Sequence, residues 1–139
     1  MSEPFDKDTP DTYSTHIPST EIMGMPPNTY CMLLHLSQLL TYCTVGLGIV
    51  APIVMWAIAK DKSPQVDQHG KIVLNWMISA FIYGIVCTIL CLTVIGLIIA
   101  IPGAIALFIV AIAFPIIGAV KANKDGTAWD YPLSIKFFR

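Results

Sequence analysis

No aspartate, glutamate, lysine or arginine occurs between Ile22 and Ala59, and none occurs in the 49 residues between Ile72 and Val120. An ordinary soluble domain carries about 25% charged residues along its whole length. This chain carries 12%, gathered outside those two stretches, and 55% of its residues are apolar. A soluble globule is thereby excluded, and the chain reads as an integral membrane protein whose first partner is the lipid bilayer. Its 139 residues allow a single domain.

The second uncharged stretch would be about 74 Å long as one helix at about 1.5 Å per residue, against a hydrocarbon core of about 30 Å. It must cross twice. The turn is expected near Thr93-Val94-Ile95-Gly96, with Pro102-Gly103 as the competing signal. The first stretch is ambiguous. Tyr30 to Ala59 fits one tilted span of about 45 Å, but Gly46, Gly48 and Pro52 interrupt it, so two short helices in a hairpin fit equally well. Seven of the eight basic residues lie in the loop 60–71 and the segment 121–139. Orientation follows Lys and Arg rather than net charge, so both should face the cytoplasm.

Three regions follow: a flexible acidic, Pro-containing tail over 1–27, a transmembrane helical domain over 28–124 and a cytoplasmic interfacial tail over 125–139. Residues 1–28 have neither a basic start nor an apolar core and do not read as a signal peptide. Asn28 or Thr29 is an N-cap candidate after Pro26-Pro27, and Ser63-Pro64 reads as N-cap plus first helical residue. Trp129, Tyr131, Leu133, Ile135 and Phe137 alternate with their neighbours. That period of two suggests an extended segment with one apolar edge, lying at the headgroups over the 60–71 loop.

Cys31, His35, Gln38 and Tyr42 share one helical face. Inside a membrane such groups turn toward the bundle, where His35 and Gln38 read first as packing hydrogen bonds and second as a ligand or proton-relay site. Asn75, one turn beyond Lys71, reads first as interhelical glue. Asp67, His69 and Lys71 form a loop network expected near the membrane surface and against the Tyr131-Pro132-Leu133 segment, with no nucleophile or paired carboxylate beside them in sequence. Cys31, Cys43, Cys87 and Cys91 contain no C-x2-C pair and read as small apolar filler rather than a zinc site. No catalytic residue, metal or cofactor is expected, and no basic patch suggests nucleic acid. Small residues recur every fourth position, at Ala80, Gly84 and Thr88 and again at Gly96, Ala100 and Ala104. Such stripes allow close helix approach, within the bundle or toward another subunit.

Cys31-x3-His35-Leu36, then Pro52-x3-Trp56-x3-Lys60-Asp61-x-Ser63-Pro64-x-Val66-Asp67-x-His69-Gly70-Lys71-x3-Asn75-Trp76, and finally Lys121-Ala122-Asn123-x2-Gly126 with Tyr131-Pro132-Leu133, resemble the Tic-twenty-like family of small bacterial membrane proteins. The resemblance covers roughly residues 28–138. It implies an all-α, multi-pass bundle of four helices in the bacterial plasma membrane, the first two short and paired in a hairpin, with both ends cytoplasmic. The helices are then expected at about 29–44, 48–60, 64–92 and 96–122. The resemblance brings no established activity. With almost no chain outside the membrane and no assembled catalytic constellation, the leading function is a non-enzymatic protein that associates with a membrane protein partner or with copies of itself. The alternatives are a small transport or translocation component and an immunity protein against a membrane-acting toxin.

Overall fold

The computed structural model describes residues 21–44 and 46–139 and shows an all-α chain of four helical arms, with the first two short and paired as expected. Residues 1–20 of the expected N-terminal tail lie outside the described residues. Helix α1 (Pro27–Ser37) starts with Pro27 at its first turn, where a missing N–H costs nothing. Asn28 and Thr29, the expected caps, are already helical, and the cap position is Pro26. A tightened turn at Gln38-Leu39, whose amides bond three residues back to His35 and Leu36, leads into α2 (Leu40–Cys43). The first arm then reverses. Gly46 adopts the left-handed φ of 92°, and Gly48 lies against the backbone of Leu40, where a Cβ would collide. A 3-10 turn (Leu47–Ile49) runs into α3 (Val50–Ala59), which completes the second arm.

Helices α4 (Pro64–Cys91) and α5 (Val94–Asp125) are each long and apolar enough to cross a membrane. Ser63 sits at the N-cap of α4 with extended backbone, although its side chain makes no capping bond. Between the two helices the chain turns at Leu92-Thr93, where Thr93 Oγ1 accepts the Gly96 amide at 3.0 Å. Pro102 does not make the turn; it and Pro115 lie inside α5. Gly126, at φ 69°, ends that helix.

The interior occupies one half of this long hairpin. Every buried residue of α4 lies between Val66 and Ser79, and those of α5 lie between Ala111 and Ala122 apart from Gly96 and Ala100. One cluster joins Tyr30, Cys31, Ala59, Val66 and Ala122 to Ile22, tucked in by a tight turn at Met23-Gly24. A second joins Ile72, Trp76 and Ala111 to Tyr131. Residues after Gly126 form no regular element, and they do not lie as a flat ribbon with one apolar edge. The chain turns at Pro132-Leu133, with the Ser134 amide bonded to the Tyr131 carbonyl. Tyr131 therefore points inward, while Leu133 is 52% exposed.

Candidate functional site

His35 on α1 and His69 on α4 are fully buried and meet at 2.9 Å between His35 Nε2 and His69 Nδ1. His35 Nδ1 lies 2.7 Å from the Tyr131 hydroxyl, and His69 Nε2 lies 3.3 Å from the carbonyl oxygen of Gly126. A carbonyl can only accept, so His69 must donate through Nε2 and accept at Nδ1. His35 then donates through Nε2 and accepts at Nδ1, which leaves the Tyr131 hydroxyl to donate. The phenolic oxygen in turn accepts from Gln38 Nε2 at 3.2 Å. One terminal carbonyl thus fixes the direction of every bond and both neutral tautomers. Gly118 makes the cluster possible: a Cβ there would press on the His35 ring and the Tyr131 hydroxyl. Burial raises the pKa of the Tyr131 hydroxyl well above that of an ordinary tyrosine, and the Gln38 bond offsets this only in part.

Asn75 anchors a second network. Its Oδ1 accepts the amides of Phe137 and Phe138, at 2.9 and 2.8 Å, and its Nδ2 donates to the Phe138 carbonyl at 2.9 Å. One turn on, Ser79 Oγ accepts the Ile135 amide at 2.7 Å; a turn further, the Tyr83 hydroxyl donates to the Leu133 carbonyl at 2.8 Å. The match is metric. Four helical residues rise about 6 Å and two extended residues about 6.6 Å, so a polar side chain every fourth position on α4 meets every second residue of the returning segment. Gly118, Ser79 and Tyr83 escaped the sequence reading, although the Asn75-x3-Ser79-x3-Tyr83 spacing was there to be found.

Asp67 pairs with Lys71 at 2.7 Å and accepts the Trp56 indole N–H at 3.1 Å, stapling the second arm to α4. Gly70 lets that indole lie against the helix backbone. Neither Asp67 nor Lys71 hydrogen-bonds Tyr131; the links to it run from His35 and Gln38. The small-residue stripes divide. Ala80 packs on the Trp76 cluster, Gly84 faces open space, and Thr88 turns back to the Gly84 carbonyl. Gly96 and Ala100 are buried, and Ala104 is exposed. The four cysteines are free thiols, with Cys31 buried. Among the described residues no three His, Cys, Asp or Glu side chains converge as metal ligands. Chemically, the buried cluster ties α1, α4, α5 and the C-terminal segment together.

Residues 26–138 match the magnetosome magnetite crystal formation protein family, MamF/MmsF. The chain belongs to that family. This overturns the Tic-twenty-like resemblance, which rested on the same part of the chain. The residues that carried that resemblance, among them His35, His69, Asn75 and Tyr131, hold this bundle together, and a shared packing role does not separate one family of small helical membrane proteins from another. No curated protein and no solved structure matches the chain. As a MamF/MmsF member with two membrane-length helices, it is a helical membrane protein.

Proposed function

We propose that this chain is a non-enzymatic component of the magnetosome membrane that serves magnetite crystal formation by associating with a protein partner or with further copies of itself. It crosses the bilayer with α4 and α5, and the end bearing the basic residues lies in the cytoplasm. One observation carries the reading beyond the family match. The side chains able to do acid-base or ligand chemistry, His35, His69, Gln38, Tyr131 and Asn75, spend their hydrogen bonds on one another and on the backbone of the C-terminal segment. Among the described residues, Ser134 Oγ is the one buried side-chain polar atom without a partner. A reaction centre needs free groups facing a substrate. A conduction path needs polar groups in series, and here they end in packed contacts on one half of the bundle.

Deleting the gene in the source bacterium should alter the size or number of magnetite crystals seen by electron microscopy, and mild-detergent purification should recover a reproducible partner or a homo-oligomer. Unchanged crystals would remove the role in crystal formation, and a lone monomer would remove the association. Because loss of one interhelical hydrogen bond costs about 1 kcal/mol, a gene carrying His35→Ala should restore crystals partly. A folded His35→Ala protein that keeps its partners yet restores nothing would move the reading to proton transfer through the cluster.

A further inference from the structure

We infer that the molecule is a wedge, wider in the leaflet at its basic end, which favours bilayers curved so that this leaflet is convex. The side contacts fix the depth of each segment along the α4/α5 hairpin. At the basic end, Asn28 Oδ1 accepts from Gln65 Nε2 at 2.7 Å. Further in, His35 meets His69 and Gly118. At the far end of the first arm, the Tyr42 ring packs on Phe108, 5.9 Å between centroids. The C-terminal segment reaches the same depth: Leu133 shares a groove with Tyr83, Gly103 and Leu107, and the chain then returns to Asn75. Among the described residues, α4 and α5 have only each other beyond that level. No residue of α4 from 80 to 91 is buried, and none of α5 from 94 to 110 apart from Gly96 and Ala100.

That level is the middle of the bilayer. About 20 helical residues fill a hydrocarbon core of about 30 Å, and the uncharged part of α4 and its turn runs from Ile72 to Leu92, so the midplane falls near residue 82. The first two arms belong in the hydrocarbon rather than in water, because their outward side chains, including Leu47, Val50, Ile53, Val54 and Ile58, are apolar and exposed. The C-terminal segment meets the same demand at Leu133, Ile135, Phe137 and Phe138, whose backbone Asn75, Ser79 and Tyr83 supply with the partners that lipid cannot, while its exposed charges Asp130 and Lys136 pair with each other at 2.6 Å. At the rim of this wide half, Lys60 lies over Trp56 and Lys121 over Trp129, each 5.0 Å from the ring, in keeping with the headgroup level.

Of the described residues, one leaflet therefore holds four helical arms and a folded segment, and the other holds two helices. With helices about 10 Å across, the cross-sections differ about two-fold. Extra area in one leaflet spreads its lipids and bends the sheet with that leaflet outermost. With the basic end cytoplasmic, an orientation that rests on the topology proposed above, the wedge fits a small vesicle lying in the cytoplasm.

The test uses the full chain, fluorescently labelled and reconstituted into phosphatidylcholine and phosphatidylglycerol vesicles of mixed diameter, with protein and lipid signals read vesicle by vesicle. Protein per unit membrane area should rise as diameter falls, by about two-fold or more between the largest and smallest vesicles. A flat profile overturns the wedge. Topology is read separately in cells by cysteine labelling at Met23, Thr127 and Leu92 in a variant without native cysteines. Met23 and Thr127 should label from the cytoplasm and Leu92 from the opposite side. Inverted labelling refutes the orientation, whereas correct labelling with a flat curvature profile refutes the wedge alone.

Discussion

Tyr131 shows how one side chain can govern a distant part of the chain. Its hydroxyl is the donor that satisfies His35 and the acceptor that satisfies Gln38, 96 and 93 residues away. Tyr131→Phe keeps the ring packing against Trp76 and Phe114 but leaves the buried His35 Nδ1 without a donor and Gln38 Nε2 with only its 3.3 Å bond to the His35 carbonyl. It should lower stability by about 1–3 kcal/mol, seen as a lower melting temperature in detergent. The pH dependence has a definite sign. The folded state holds the Tyr131 proton more tightly than the unfolded chain, whose tyrosines ionise near pH 10. Above about pH 10 the unfolded state therefore binds fewer protons, and stability falls as pH rises. The difference between wild type and Tyr131→Phe should shrink over that range; a constant difference would show that the phenol titrates normally. Gly118→Leu should be more damaging, because the added side chain would occupy the space of the His35 ring. His35, Gln38, His69 and Tyr131 stand out in the sequence as polar or amphipathic groups in apolar surroundings. Their assembly does not, because the rotation of one helix about its axis relative to another is set by packing and not by period.

The helical arms were largely legible. Uncharged length required α4 and α5 to be a hairpin, and the glycines at 46 and 48 marked the reversal between the first two arms, where a left-handed φ and a close backbone approach both need glycine. The path of the C-terminal segment was less so. A period of two fits an edge lying on lipid headgroups, but the alternation also matches the four-residue ladder of α4, and only the three-dimensional register distinguishes the two. Asn75→Ala removes three bonds to Phe137 and Phe138 and should raise amide hydrogen exchange at residues 135–138 by at least about ten-fold, as expected for losing about 1.4 kcal/mol of local protection. Exchange in α5 should be unchanged. Equal exchange in the mutant and wild-type segments would mean that the ladder does not hold the segment, whereas loosening of α5 as well would mean that segment and helix open as one unit.

At the scale of the whole molecule, one half of the described residues is a packed bundle and the other is a pair of helices, and this division separates two small-residue positions that look alike in sequence. Ala100 is 1% exposed, in the half where α4 and α5 have no other neighbours among the described residues, so its small side chain serves their mutual approach. Gly84 faces open space on α4, beside Phe81, Ile85 and Ile89. Ala100→Leu should therefore overpack the hairpin, costing about 1–3 kcal/mol, and lower the melting temperature of the purified chain. Gly84→Leu adds a side chain where nothing stands in its way, and the helix gains from replacing glycine, so the monomer should melt no lower than wild type. The pair of variants then divides the association reading into separable parts. If Gly84→Leu leaves the fold intact and abolishes recovery of the partner, the open face of α4 is the surface of association. If recovery is unaffected, that face meets only lipid, and the partner contacts the basic end, where the loop 60–71 and the C-terminal segment lie together. Should Ala100→Leu melt normally, the two helices do not rest on one another at that level, and the narrow half of the molecule is not the closed pair described above.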